Sequence, residues 1–470
     1  MELPSFAVVG RPNKGKSSIV ATLARDDSVY VDRRSGSTTH TQSFPMKIGE
    51  ETLYVLYDTP GMQRARSLLA WLQQHSTDAS NRPATVRRFV EEHGDDPHYA
   101  SECEMLRPIL EGAGIIYVVD GSLPYGADYE PEMEILRWTG NPSLALINPI
   151  QGEAFVDDWR NGLSQYFRTV RVFDAHHAEF RKQLDLLELF GHLDESWREP
   201  LDRAVTALLL ERDEQHRAAA GMIADLVTTA LTHSENQAIV EGIPQDPVKD
   251  LLLARYKSRL VKEEERCRHR VEEVFHYTRI QRAEQGLPLD EADLFNVENW
   301  YLWGLGRGSL LVVAAASGAV VAGGAGMMVD AATGGLLGGL GTVISGAGGA
   351  LLSGVGAWRY SDDIAEVKVK GIPTGGSRLI VGPCPNLNFP FVVLGRALQH
   401  HRMVARRTHA HREVLELDSA LLDHVTESDR KKLGKLFAYI RNGRNLTRHR
   451  AELSGMIYAY CKQADDSPGY

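Results

Sequence analysis

Phe6-Ala-Val-Val-Gly10-Arg11-Pro12-Asn13-Lys14-Gly15-Lys16-Ser17-Ser18 decides how the first part of this chain folds. An apolar run of strand length stops at Gly10, and Gly15-Lys16-Ser17 opens a stretch from Ser18 to Ala24 with helical character. Strand, glycine loop and helix in that order are the context in which GxxxxGK[ST] binds phosphate. The glycines let the backbone turn tightly, so that N–H groups and a helix N-terminus converge on phosphate oxygens. Lys16 then reaches the β- and γ-phosphates, and Ser17 is a ligand for Mg2+. The bland alternative is a chance match in a glycine-rich turn.

Working outward, Leu53-Tyr-Val-Leu-Tyr-Asp58-Thr59-Pro60-Gly61 is a buried strand that ends in an acid and a glycine. Asp58 can hold Mg2+ through water, and Gly61 can offer its N–H to a γ-phosphate with no side chain in the way. Asp-Thr-Pro-Gly is also a good turn sequence, but two such signals in the right order disfavour that reading. Ile115 to Val119 and Leu144 to Ile147 are further apolar runs ending in acid or amide. Their alternation with polar helical stretches predicts an α/β domain with a mainly parallel sheet over residues 1–190. Met62 to Gly112 is long, polar and helix-like, which widens the usual spacing between strands.

Gly-Arg-Pro-Asn-x-Gly-Lys-Ser-Ser followed by Asp-Thr-Pro-Gly resembles the Era/EngA/MnmE (TrmE-Era-EngA) branch of P-loop GTPases. The resemblance covers about the first 190 residues. It implies GTP and GDP as ligands, Mg2+ as cofactor, and a nucleotide site built from Gly10 to Ser18, Asp58 to Gly61 and Asn148. It also implies a switch-one threonine that closes on Mg2+ and the γ-phosphate. In Gly36-Ser37-Thr38-Thr39-His40, Thr38 matches without a gap and Thr39 is the alternative. Lys16, Thr38 and Gly61 are thus the catalytic candidates, and Ser17, Thr38 and Asp58 the Mg2+ ligands.

Two positions depart from the family. Asn148-Pro149-Ile150-Gln151 stands where Asn-Lys-x-Asp is usual. The asparagine is kept, but the carboxylate that would pair with the guanine edge is an amide, so a charge-assisted pair is lost. Met62 follows Gly61, where many small GTPases place a water-orienting glutamine, and Gln63 lies one step further on. The resembled branch often uses a potassium ion held partly by the P-loop asparagine, which corresponds to Asn13. Slow intrinsic hydrolysis, stimulated by self-association or a partner, is the expectation. Asp174-Ala175, after Val170 to Phe173, lies where the fifth, base-contacting loop of the family would fall.

From about residue 191 to 470 the pattern changes to Leu, Ala, Glu and Arg at helical spacing, which predicts a mainly helical domain. Inside it, 305–358 is rich in glycine and alanine. No charged residue occurs from Gly308 to Val329 or from Ala331 to Trp358, and Asp330 separates the two arms. Each arm exceeds the roughly 20 residues that cross a hydrocarbon core. Trp300, Tyr301, Trp303, Arg307, Trp358 and Arg359 flank the pair as interface anchors would. A membrane hairpin and a soluble hairpin of close-packed small residues are the two readings. Glu366 to Gly371 and Ser377 to Gly382, joined by Pro-Thr-Gly-Gly, look like a β-hairpin. The layout resembles bacterial GTPases fused to an uncharacterised helical domain.

Histidines and arginines crowd His400 to Arg412. Interspersed acids make a solvated helical face the simplest reading, with anionic lipid or RNA as alternatives. His400 and His401 have no carboxylate or cysteine neighbour in sequence, which argues against a metal site.

Composition sets the outer limits. With 470 residues, 43% hydrophobic and 24% charged, the chain can bury a core, and global disorder is excluded. A net charge of −10 argues against a general nucleic-acid coat. Four scattered cysteines, Cys103, Cys267, Cys384 and Cys461, and the lack of a visible signal peptide point to the cytoplasm, at the inner face of the plasma membrane if the hairpin inserts. Three functions remain: a GTP-driven switch attached to a membrane, a ribosome or tRNA-processing GTPase, and a non-catalytic nucleotide-binding scaffold.

Overall fold

The structure, a computed structural model, describes residues 3–26, 29, 38, 40–238, 245–277, 294–295, 358–361, 368–369, 372–373, 378–408 and 426–466. In the first part, the elements run β1 (Ser5–Val9), α1 (Lys16–Ala24), β2 (Gln42–Ile48), β3 (Glu51–Asp58), α2 (Ala65–His75), α3 (Arg82–His93), α4 (Ala100–Leu110), β4 (Gly114–Asp120), α5 (Glu130–Thr139), β5 (Ser143–Asn148), α6 (Val156–Leu163), β6 (Val170–Val172) and α7 (Phe180–Gly191). The strands form one sheet in the order β2-β3-β1-β4-β5-β6. All pairs are parallel except β2 with β3.

The strands are apolar throughout because both faces are covered. Successive side chains alternate between two cores. Phe6, Val8, Ile116, Val118, Leu144 and Leu146 face α1, α7 and the start of the next helix. Ala7, Val9, Ile115, Tyr117, Val119, Ala145 and Ile147 face the layer made by α2 to α6. The polar stretch after Gly61 is thus three amphipathic helices on one face, as its composition predicted.

The next helix, α8 (Glu195–Thr232), has 38 residues, a rod of roughly 57 Å at 1.5 Å per residue. Asp194 caps it, its side chain accepting from the Ser196 N–H. Trp197, Leu201, Ala204 and Leu208 belong to the core over the sheet. Ala219, Ile223, Ala224, Val227 and Leu231 of the same helix belong to a second core. One continuous helix therefore lies in both parts of the molecule.

Around its second half pack α9 (Gln245–Val274), α10 (Phe389–Arg406), α11 (Glu427–Arg441) and α12 (Leu446–Asp466). The helical reading of the C-terminal region holds for the described residues. The β-hairpin reading needs correction. Among the described residues, Arg378–Val381 does not pair with Lys368–Val369. It is the central strand of an antiparallel trio, between Glu235–Ala238 and Trp358–Ser361. Lys368–Val369 pairs instead with Ile372–Pro373. The physical reason lies at Leu379 and Val381. Both are buried in the helical core, so the strand is placed by that core rather than by the turn.

A second correction concerns the basic segment. His400 and His401 are buried on α10. Tertiary packing supplies the company that their sequence neighbours lack: Glu272 lies 3.0 Å from His400 Nε2, and His216 Nδ1 lies 3.0 Å from His401 Nε2. No group of three or more His, Cys, Asp or Glu suited to a metal occurs among the described residues. Apart from Trp358, the 305–358 segment lies outside the described residues. Among those described, no helix is long and apolar enough to cross a membrane.

Candidate functional site

In an open parallel sheet, ligands bind beyond the carboxyl ends of the strands, where the strand order reverses. Here β1 lies between β3 and β4, which are reached in opposite directions along the sheet. The register sets Val8 beside Asp58 and Asp120 beside Asn148, so the ends of β1, β3, β4 and β5 meet on one edge.

Gly10 to Gly15 form the loop between β1 and α1. Asn13 (φ 60°) and Gly15 (φ 84°) are left-handed, a shape that turns successive N–H groups inward. Gly15 also touches the neighbouring strand end. A Cβ there would sit 2.1 Å from Asn148 Nδ2, so a larger residue would displace the Asn148 amide and strain the left-handed backbone. Lys16 is buried, and its ammonium donates to the Arg11 carbonyl at 3.0 Å, spanning the loop. Burial lowers its pKa to about 8, against the opposing pull of Asp58 and Glu132.

Below the loop, two hydroxyls converge on one carboxylate. Ser17 Oγ donates to Asp58 Oδ2 at 2.7 Å, and Thr38 Oγ1 to the same atom at 3.2 Å. Asp58 Oδ1 is buried and has no hydrogen-bond partner among the described residues. Burial raises the Asp58 pKa, while the Ser17 bond, the Lys16 charge and the Thr38 bond oppose it. An acid with an orphaned oxygen beside two hydroxyls is a hard-oxygen donor set of the kind Mg2+ takes. Thr38, the ungapped match, is thus brought to the site, and Thr39 lies outside the described residues. Thr59 is buried, with its hydroxyl donating to the Val8 carbonyl at 2.8 Å, which ties the end of β3 to β1. At Gly61 an added Cβ would lie 2.5 Å from both N and Cδ of Pro12. The Asp-Thr-Pro-Gly turn and the glycine loop therefore touch.

Asn148 does more than end a strand. Its Nδ2 donates to the Lys14 carbonyl at 3.3 Å, and its Oδ1 accepts from the Ala175 N–H at 3.3 Å. It thereby joins the phosphate loop to the Asp174-Ala175 loop. Ile150 is exposed beside Gly15, and Gln151 is exposed too. Met62 is buried in the helix-side core, so its side chain faces away from solvent.

Several contacts have no counterpart in the sequence reading. The Arg11 guanidinium bonds Glu132, lies 2.5 Å from Asp128 Oδ2 and stacks 3.6 Å from the Tyr129 ring centre. Its side chain is thus anchored on α5 and the turn before it, while its carbonyl serves Lys16. Lys14 Nζ lies 3.7 Å from Asp120 Oδ2. Buried Glu102 accepts from the N–H groups of Gln63 and Arg64 at 2.8 and 2.7 Å, fixing the segment after Gly61. The one advance signal was Asp120, an acid closing an apolar run.

Residues 160–455 match a family described as a domain of unknown function, DUF3482. Residues 5–147 match a family described as 50S ribosome-binding GTPase. Similar curated proteins include GTPase Der of Agathobacter rectalis, 36% identical over 74 residues, which is 16% of this chain and 16% of that protein. GTPase Der of Aeromonas hydrophila is 41% identical over 214 residues, or 44% of this chain and 37% of that one. The chain spans 16–18% of the length of the first relatives of this kind. Among solved structures, an Aquifex aeolicus Era variant bound to GDP and AlF4− has a TM-score of 0.28 and 16% identity, covering 59% of this chain and 90% of that one.

Proposed function

We propose, because this chain belongs to the DUF3482 family and begins with a TrmE-Era-EngA-like P-loop GTPase domain, that it binds GTP with Mg2+ and hydrolyses it slowly, as a nucleotide-dependent switch. The observation that carries this reading is the meeting of Ser17 and Thr38 on Asp58 directly below a loop spanned by Lys16. Ser17, Thr38 and Asp58 would hold Mg2+, which neutralises charge between the β- and γ-phosphates. Lys16 and the loop N–H groups bind and orient the phosphates, and the Gly61 N–H marks the γ-position.

Water activation is the weak part of this site. Met62 is buried and cannot orient a nucleophile. Turnover on the order of 10⁻³ per second is the scale for a site without a stimulating group. A potassium ion held by the exposed, left-handed Asn13 would supply the missing charge. Turnover measured in potassium and in sodium tests this: faster hydrolysis in potassium supports the ion, equal rates remove it. No turnover in either, with GTP still bound, would leave a scaffold.

The place of action is a finer proposal. The uncharged arms within 305–358 favour a membrane, whereas the match to ribosome-binding GTPases favours RNA or a ribosome. Sedimentation separates them. Release of the chain from membranes on deletion of 305–358 supports the first, and recovery with ribosomes alone supports the second.

A further inference from the structure

We propose, building on the GTPase reading above, that α4 is a positioning element for the γ-phosphate end of the nucleotide site: through Glu102 and Glu104 it holds both segments that read that phosphate. The stretch between β3 and β4 carries three helices, and α4 is the last of them. Its apolar face, with Cys103, Met105, Leu106 and Ile109, shares a core with Ala7 and Val9 of β1. The helix is therefore fixed on the sheet, beside the strand that leads into the phosphate loop.

Glu102 is almost fully buried. One of its oxygens, Oε1, accepts from the N–H groups of both Gln63, at 2.8 Å, and Arg64, at 2.7 Å. Gln63 lies two residues past Gly61, and two residues span at most about 7 Å. The Gly61 N–H is thus kept close to a fixed point. Two N–H bonds to one buried carboxylate are charge-assisted and stronger than their neutral equivalents. They also meet α2 at its start, where Arg64 makes no side-chain cap of its own and a negative charge is favourable.

Two positions further along the same helix, Glu104 holds the other segment. Its carbonyl accepts from Thr41 Oγ1 at 2.8 Å, and its Oε2 accepts from the Thr41 N–H at 3.3 Å. Thr41 directly precedes β2 and lies three residues past Thr38, whose hydroxyl reaches Asp58. Thr38 and Gly61 belong to separate stretches of chain, yet each is tethered within a few residues to one helix. Such tethers order both groups before a nucleotide arrives, which lowers the cost of ordering them on the third phosphate. GDP lacks that phosphate, so its binding should not depend on them.

The test uses the full chain and compares affinity for GDP with affinity for the slowly hydrolysed analogue GTPγS, alongside GTP turnover and thermal midpoint. In Glu102→Ala the preference for GTPγS over GDP should fall about tenfold, the worth of one hydrogen bond to a charged group. GDP affinity should stay the same, and turnover should fall with the preference. Thr41→Val, which keeps the shape and loses the hydroxyl, should lower the same preference. Glu102→Gln keeps an acceptor oxygen and loses the charge, so it should lie in between, which separates loss of the tether from a folding defect. An unchanged preference in Glu102→Ala or in Thr41→Val overturns the proposal. A lower thermal midpoint with unchanged preference does so too, because it makes Glu102 a helix cap alone, and so do equal losses for GDP and GTPγS. A native chain that binds both nucleotides without preference overturns the positioning role and leaves nucleotide binding standing. A native chain that binds neither overturns the GTPase reading, and the proposal with it.

Discussion

Lys16→Ala abolishes nucleotide binding, with a loss on the order of 100-fold or more in affinity, as for truncating one partner of a buried charge pair. Lys16 is the only residue whose side chain spans the loop, from the start of α1 to the Arg11 carbonyl at 3.0 Å, among the described residues. Without it the loop loses both a strap and its central positive charge. Equilibrium binding of a labelled nucleotide reads the loss, and undiminished affinity would reject the site.

The same lysine fixes a pH dependence. In the nucleotide-free protein its pKa is about 8, against the ordinary 10.5. Polyphosphate favours the charged form and raises that value, so binding takes up a proton once the pH exceeds about 8. Affinity should be flat below that point and fall by up to about tenfold per pH unit above it. The unfolded chain keeps the ordinary value, so this lysine makes the free protein more stable as pH rises from about 8 to 10.5. Opposite slopes for stability and affinity in that window would distinguish this group from general alkaline unfolding.

Gly61→Ala is the second large effect. The added methyl would sit 2.5 Å from the backbone nitrogen of Pro12, so the loop or the turn must move. Where the turn gives way, the Gly61 N–H separates from the γ-position and the α- and β-phosphate cradle stays in place. GDP affinity should change little, whereas GTP turnover should drop by about 100-fold, as when one transition-state donor is lost. Equal losses for GDP and GTP would mean that the turn supports the loop as a whole and does not read the γ-phosphate.

These two residues were legible in the sequence because their chemistry is local. A glycine loop after a strand, or an acid and a glycine closing one, carries its meaning within a few positions. Asn148 was legible only as a survivor of an altered motif. Its bonds to Lys14 and Ala175 exist because β5 sits beside β4 and both end at one edge. Arg11 belongs to the glycine-loop motif, but Glu132 and Asp128, more than a hundred residues away, direct its side chain to α5 and the turn before it. Glu102 was invisible for the same reason. In the helical part, the helices follow from their periodicity. The partners of Arg378–Val381, and the burial of His400 and His401, depend on a core assembled from distant segments. No local pattern encodes those.

The central claim is that an edge with Asn148 but neither the usual lysine nor the usual aspartate still selects guanine nucleotides. Competition of GTP, ATP and XTP for the purified chain tests it most directly. The account predicts that GTP displaces a labelled guanine nucleotide at concentrations well below those of ATP and XTP. Equal displacement by ATP, or preference for XTP, would contradict it.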